Sequence, residues 1–171
     1  MRPSPIPISE KSGIKDIYDL EGRPFCPGML GGSSERTGMD IFRILGIRPN
    51  ICHMSYADAI EAMKDERIVG FVKPGIRDSS ILDVASSMKI RIISFSDDDL
   101  EKILRNVVGL RKSVVPSGMY QGVEEFKTVE NEWSDFVRKD FPVELAYKIV
   151  KTIWENRAEI KGQTRCSWEI V

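Results

Sequence analysis

The chain has 171 residues, 42% of them hydrophobic and 30% charged; that suits one packed domain or two small lobes and excludes a multidomain assembly. Its 25 Lys and Arg against 26 Asp and Glu argue against a nucleic-acid-binding protein, whose footprint is a basic excess. No run approaches the roughly 18 consecutive apolar residues of a membrane span, and Met1 to Ile8 has no long apolar stretch of the secretory-signal kind.

Pro3, Pro5 and Pro7 remove backbone donors, so residues 1–15 read as a flexible lead-in. Gly22 to Phe25 is a weak strand whose proline suggests an edge or an entry. A Gly/Ser loop follows, then a helix with Met39, Phe42 and Leu45 on its apolar face, closed near Gly46. Ile51 to Met54 is a short strand, and Ser55 caps a helix with Ala59, Ile60 and Met63 on one side. Arg67 to Val72 reads as a strand buried on both faces and stopped by Lys73-Pro74-Gly75. Ser80 with Asp83 starts a helix carrying Ile81, Val84, Ala85 and Met88. Lys89 to Phe95 is the clearest strand, rich in β-branched residues. Ser96 and three aspartates open a helix with Leu100, Ile103, Leu104 and Val107 on its buried face.

Strand and helix alternate four times, which predicts an α/β fold with a mostly parallel sheet. Beyond Gly109 the pattern changes. Val114 to Gly118 reads as a crossover, Gly118 to Gly122 as a turn and Val129 to Val137 as an irregular strand. Pro142 opens a long helix with Leu145, Ile149, Ile153 and Trp154 on one side. The expected divisions are 1–15, an α/β lobe over 16–112, and a crossover with a C-terminal helical segment over 113–171.

The stretch Gly28 to Arg36 carries the most chemical information. Lying between a strand and a helix, it presents backbone N–H groups at the positive end of a helix dipole, where carboxylate or phosphate is received without a cation. The competing reading is an ordinary turn capped by Ser33 or Ser34. A Walker loop needs a Gly-Lys-Ser/Thr that is absent, and neither G-x-G-x-x-G nor G-x-S-x-G occurs. His53, the single histidine, has no evident triad partners and reads as structural or surface. Asp97 to Asp99 lacks the spacing of a hard-cation loop, so helix capping is its expected role. Cys26, Cys52 and Cys166 form neither a C-x-x-C pair nor an even set, which excludes a disulfide framework and a cysteine zinc site. No enzymatic constellation and no cofactor site stands out.

Five stretches in order are Asp19 to Arg23 leading into the Gly/Ser loop with Glu35, Ser55 to Asp65, Val69 to Val72 with Gly75, Pro116 to Val123, and Phe141 to Ile149. Together they resemble the TAXI-type solute-binding subunits of tripartite ATP-independent periplasmic (TRAP) transporters, collinearly over roughly residues 16 to 161. The resemblance implies a type II periplasmic-binding-protein lobe, non-catalytic and extracytoplasmic. It implies a small carboxylate such as glutamate or a dicarboxylate as ligand, and TRAP permease subunits as partners. The ligand-binding residues it implies are Gly31, Gly32, Ser33, Ser34, Lys73 and Gly75. Family members begin with a signal peptide and most of a first lobe before the position of Asp19, so the segment 113–171 corresponds to a remnant of that lobe. Its helix stripe is then expected to meet another copy of the chain or a complementing N-terminal half. The alternatives are an interaction or regulatory module with the same fold, and an enzyme using the loop for a phosphate substrate.

Overall fold

The computed structural model describes residues 2–75, 78–131 and 136–163. Residues 2–132 make one compact unit, and residues 133–171 belong to a second. The strands are β1 (Arg2–Pro3), β2 (Pro7–Ser9), β3 (Pro24–Phe25), β4 (Asn50–Ile51), β5 (Ile90–Ile92), β6 (Leu110–Val115) and β7 (Phe126–Asn131). The helices are α1 (Ser33–Leu45), α2 (Tyr56–Lys64), α3 (Ser79–Ser87), α4 (Asp97–Asn106), α5 (Val143–Glu155) and α6 (Arg157–Gln163).

Hydrogen bonds string the short strands into one array. β3 and β4 pair in parallel, and Cys26 bridges Phe71 in parallel. Ile8 bridges Gly70 antiparallel, and β2 pairs antiparallel with β5. The order is therefore β4, β3, the extended segment 69–72, β2, β5. Four members run one way and β2 runs against them, a parallel-rich sheet with one reversed strand near its middle. β1, β7 and β6 form a separate antiparallel sheet in that order.

The expected flexible lead-in is thus corrected, because residues 3 to 9 are all buried. The prolines recur every second residue, so their missing N–H groups all face one flank, where their carbonyls still accept. Pro7 accepts from Phe71 at 3.2 Å, Pro5 from Lys73 at 3.2 Å and Pro3 from Gly75 at 2.7 Å. The intervening residues serve the other flank: Ser4 donates to Val129 at 2.8 Å and Ile6 accepts from Ile93 at 3.1 Å. Alternation in a strand lets three prolines cost donors on one side alone. The expected crossover at Val114 to Gly118 is corrected as well. β6 and β7 form an antiparallel hairpin from Leu110↔Asn131 to Val115↔Phe126, unbroken at the expected division after residue 112.

Two apolar clusters cover the sheet. Ile6, Ile8, Phe25, Ile41, Phe42, Val69, Val72, Leu100 and Ile103 lie on the side of α1 and α4. Ala59, Met63, Phe71, Ile81, Val84, Ile90 and Ile92 lie on the side of α2 and α3. Each fully buried Ile or Phe contributes about 2 kcal/mol of transfer free energy. In α1 the buried apolar side chains are Ile41 and Phe42, while Met39 is exposed and Leu45 half-buried. Gly46 ends that helix at φ 72°, the left-handed position glycine adopts without strain.

Ser55 caps α2 by accepting from the Asp58 N–H at 3.2 Å, and Ser96 caps α4 by accepting from Asp99 at 3.1 Å. The cap of α3 is Asp78, accepting from Ser80 at 2.9 Å, so the helix begins before the expected Ser80. The aspartate run serves the fold. Asp99, buried, accepts from the Tyr18 hydroxyl at 2.6 Å, and that bond above all pushes the Tyr18 phenol up to about 12. Asp97 accepts from Lys112 and Lys127, each at 2.7 Å, tying α4 to the β6–β7 hairpin.

The two ammonium groups hold the Asp97 carboxyl down from 3.8 to about 2. A carboxyl lowered by folding stabilises the native state above its unfolded value, and the contribution vanishes as pH falls through the folded one. Stability is therefore expected to drop between pH 4 and pH 2 by an increment that Asp97→Asn removes. Urea unfolding of both proteins at pH 4.5 and pH 2.5 checks this; equal pH slopes would refute it.

In the second unit α5 has no buried residue, and Leu145, Ile149, Ile153 and Trp154 are about half-exposed. The Arg157 guanidinium sits 4.6 Å from the Trp154 ring centroid. Among the described residues no helix is long and apolar enough to cross a membrane. Cys166, Trp133 and Trp168 lie outside the described residues, as do residues 132–135 of the expected strand Val129 to Val137; strand β7 ends at Asn131, and Phe136 and Val137 are exposed and not in a strand.

Candidate functional site

Of the four connections that leave the carboxyl edge of the parallel strands, three come from neighbouring strands: β3 to α1, β4 to α2, and the segment 69–72 to α3. Open α/β sheets bind ligands outside that edge, because loops and helix N-termini converge there. The first connection turns at Gly28, φ 126°, where a Cβ would lie 3.3 Å from Ser34 Oγ and 3.4 Å from the Glu35 nitrogen. A side chain there would crowd the first turn of α1, so the loop closes tightly over it only with glycine.

Gly32 is the N-cap of α1, and no side chain caps the helix. The Gly32 N–H is used within the loop, donating to the Met29 carbonyl at 3.0 Å, while its carbonyl accepts from Arg36. Among the described residues, the next three N–H groups, those of Ser33, Ser34 and Glu35, have no protein acceptor. These are the amides that concentrate positive potential at a helix start.

Side chains from the other two connections meet the same turn. Ser34, buried, shares a hydrogen bond between its hydroxyl and that of Tyr56, the first residue of α2. Burial raises the Tyr56 phenol, and the Ser34 bond opposes that rise, so Tyr56 is a neutral group at physiological pH. The Lys73 ammonium lies 3.9 Å from the centroid of the Tyr56 ring and 3.2 Å from Asp78 Oδ2. With its side chain only 15% exposed, this cation is largely out of water, where attraction to a ring face or an anion is strengthened. His53 Nδ1 is 3.3 Å from the Gly28 carbonyl, bracing the loop from β4.

Of the residues predicted from sequence, Ser34 and Lys73 are brought together, with Tyr56 between them. Gly32 and Ser33 frame the same helix start, and Gly31 is an exposed loop residue. Gly75 offers no free amide, since its N–H is held by Pro3, and the Lys73 N–H is held by Pro5. Tyr56 and Asp78 are the residues that sequence reasoning missed. Both stand where a helix starts after the carboxyl end of a strand, the position that singled out Ser33 and Ser34. A cavity of about 480 Å³, lined by Glu10, Lys11, Lys64, Glu66, Met88 and Lys89 among others, opens at the opposite, amino edge of the parallel strands and takes no part in this cluster.

The profile of the NMT1-like family matches residues 1–168. The chain belongs to the NMT1-like family. Solved structures give this NMT1-like chain its fold relatives. An ancestral arginine-binding protein bound to arginine matches with a TM-score of 0.51 at 16% identity, over 92% of this chain and 55% of that one. The same kind of protein bound to glutamine gives 0.50 at 17%, over 92% and 54%. The periplasmic aliphatic sulphonate binding protein SsuA from Escherichia coli gives 0.47 at 16%, over 94% and 41%. The NMT1-like chain thus has the fold of the two arginine-binding proteins and spans about half the length of these relatives, or less.

Proposed function

We propose that this NMT1-like chain is a solute-binding component of a TAXI-type TRAP transporter that holds a small carboxylate, such as glutamate or a dicarboxylate, and leaves it chemically unchanged. The observation that carries this reading is the set of amides of Ser33, Ser34 and Glu35, without an acceptor among the described residues, coupled through Tyr56 to the desolvated ammonium of Lys73. Amides and ammonium supply donors only, which suits an anion. The collinear TAXI-like stretches support the transporter type, with TRAP permease subunits as partners and an extracytoplasmic place of work. Binding alone accounts for the parts of the cluster.

A thermal-shift screen with glutamate, glutamine, 2-oxoglutarate, succinate and sugar phosphates tests this. A ligand at about 100 times its Kd adds roughly 2.7 kcal/mol of stability. A shift with a carboxylate, lost in Ser34→Pro, which removes one of the three amides, is the expected result. No shift with any compound would overturn the reading in favour of an interaction module, and a shift with phosphates alone would move it to phosphate recognition.

A further inference from the structure

Two of the cysteines that look scattered in the sequence are neighbours in the sheet. In the β3–β4 ladder Phe25 is in register with Ile51, which makes Cys26 and Cys52 the next pair along. The Cys52 N–H donates to the Phe25 carbonyl at 2.9 Å, the bond leading into that pair. The bond following it would need an N–H on residue 27, a proline, so the ladder ends there for want of a donor. Residues in register on parallel strands point to the same face, and neighbouring strands lie about 4.8 Å apart. Both cysteines accordingly pack in one cluster with Ala59, Met63 and Phe71, Cys26 buried and Cys52 half-buried. A disulfide spans Cα separations of about 4.4–6.8 Å, which such a pair satisfies. The Cys26 thiol is in contact with the Met54 carbonyl at 3.9 Å and with the Gly28 backbone, and the Cys52 thiol with the Asn50 carbonyl at 3.8 Å.

We propose that Cys26 and Cys52 form an intramolecular disulfide when the chain meets a disulfide oxidant such as oxidised glutathione, fastening together the two strands from which the Gly28 loop and α2 spring. Cys52, the more accessible, attacks as thiolate one sulfur of glutathione disulfide; that S–S bond breaks, and one glutathione leaves as a thiolate that takes up a proton. Cys26 then gives up its proton and attacks the Cys52 sulfur, expelling the second glutathione. Two protein thiols lose two electrons and two protons, and one glutathione disulfide becomes two glutathione thiols. Burial raises the Cys26 thiol above its ordinary range, which keeps it protonated and leaves Cys52 as the entry point.

The test uses the full chain, incubated with excess oxidised glutathione, blocked at remaining thiols and digested with trypsin without reduction. Arg23 and Arg48 precede prolines and resist cleavage, so Cys26 falls in peptide 16–36, Cys52 in 44–64 and Cys166 in 166–171. The expected product is peptide 16–36 linked to 44–64, lighter by two hydrogens than their sum. It is accompanied by a rise in Tm of about 5–10 °C that dithiothreitol reverses. Cys166→Ser gives the same product, and Cys26→Ser traps glutathione on Cys52. Linkage of either residue to Cys166 in its place, a lasting glutathione adduct on Cys52 of the unsubstituted chain, or thiols 26 and 52 both still free would overturn the proposal.

Discussion

Replacing Gly70 by alanine is expected to lower unfolding free energy by about 3 kcal/mol or more. A Cβ at residue 70 would lie 2.4 Å from the Pro7 carbonyl oxygen and 2.4 Å from Ile8 Cδ1. The Ile8 side chain has no free space to rotate into, being completely buried. The Pro7 carbonyl is worse placed to yield, since it accepts from Phe71 and its residue is in register with Ile92 on the other flank. Relief of the clash therefore means moving β2 and breaking pairing on both sides. Gly46→Ala is the control, because a Cβ there meets nothing within 4 Å and the left-handed backbone alone costs about 1 kcal/mol. Urea midpoints of the two variants should differ clearly. If Gly70→Ala unfolds with the wild type, β2 does not run beside residue 70.

Lys73→Met is expected to weaken carboxylate binding by about 10- to 100-fold while changing stability little. A charge-assisted hydrogen bond contributes about 1.5–3 kcal/mol, and each 1.4 kcal/mol is tenfold in Kd. Methionine keeps a flexible apolar stem against the Tyr56 ring, so packing survives the loss of charge. Asp78 loses its ion partner but keeps the Ser80 N–H at 2.9 Å, and its side chain is 26% exposed, so water takes the vacated place. Calorimetric titration with whichever carboxylate gives the largest thermal shift, alongside urea unfolding, separates the two effects. An unchanged Kd would remove Lys73 from the site and leave the helix amides as the sole anion donors.

What the sequence disclosed divides by range. Ser55 and Ser96 were legible as helix starts because a cap is a contact between residues three apart. Ala59, Ile60 and Met63 were legible as a buried face because helical spacing is local too. The parallel-rich sheet followed from alternating strands and helices, but its reversed member did not. Prolines at 3, 5 and 7 argue against a strand unless the flank that lacks donors is known, and that flank is formed by residues 71 to 75. The site shows the same division. Ser34 announced itself through a Gly/Ser loop before a helix, whereas Tyr56 at the start of α2 looks like any aromatic until the fold sets its hydroxyl against that serine. Gly75 shows the converse, since its amide is taken by Pro3 far away in sequence.

The reversed strand also bears on how the chain survives its own synthesis. Ile6 and Ile8 leave the ribosome long before residues 69 to 75 and 90 to 93 exist to cover them. An apolar, extension-prone segment left waiting is a template for association between nascent chains. Three prolines at alternate positions strip the donors from one of its edges, so no stray strand can build a full ladder there. The spacing that fits the segment into its slot also keeps it from being captured before the slot is made.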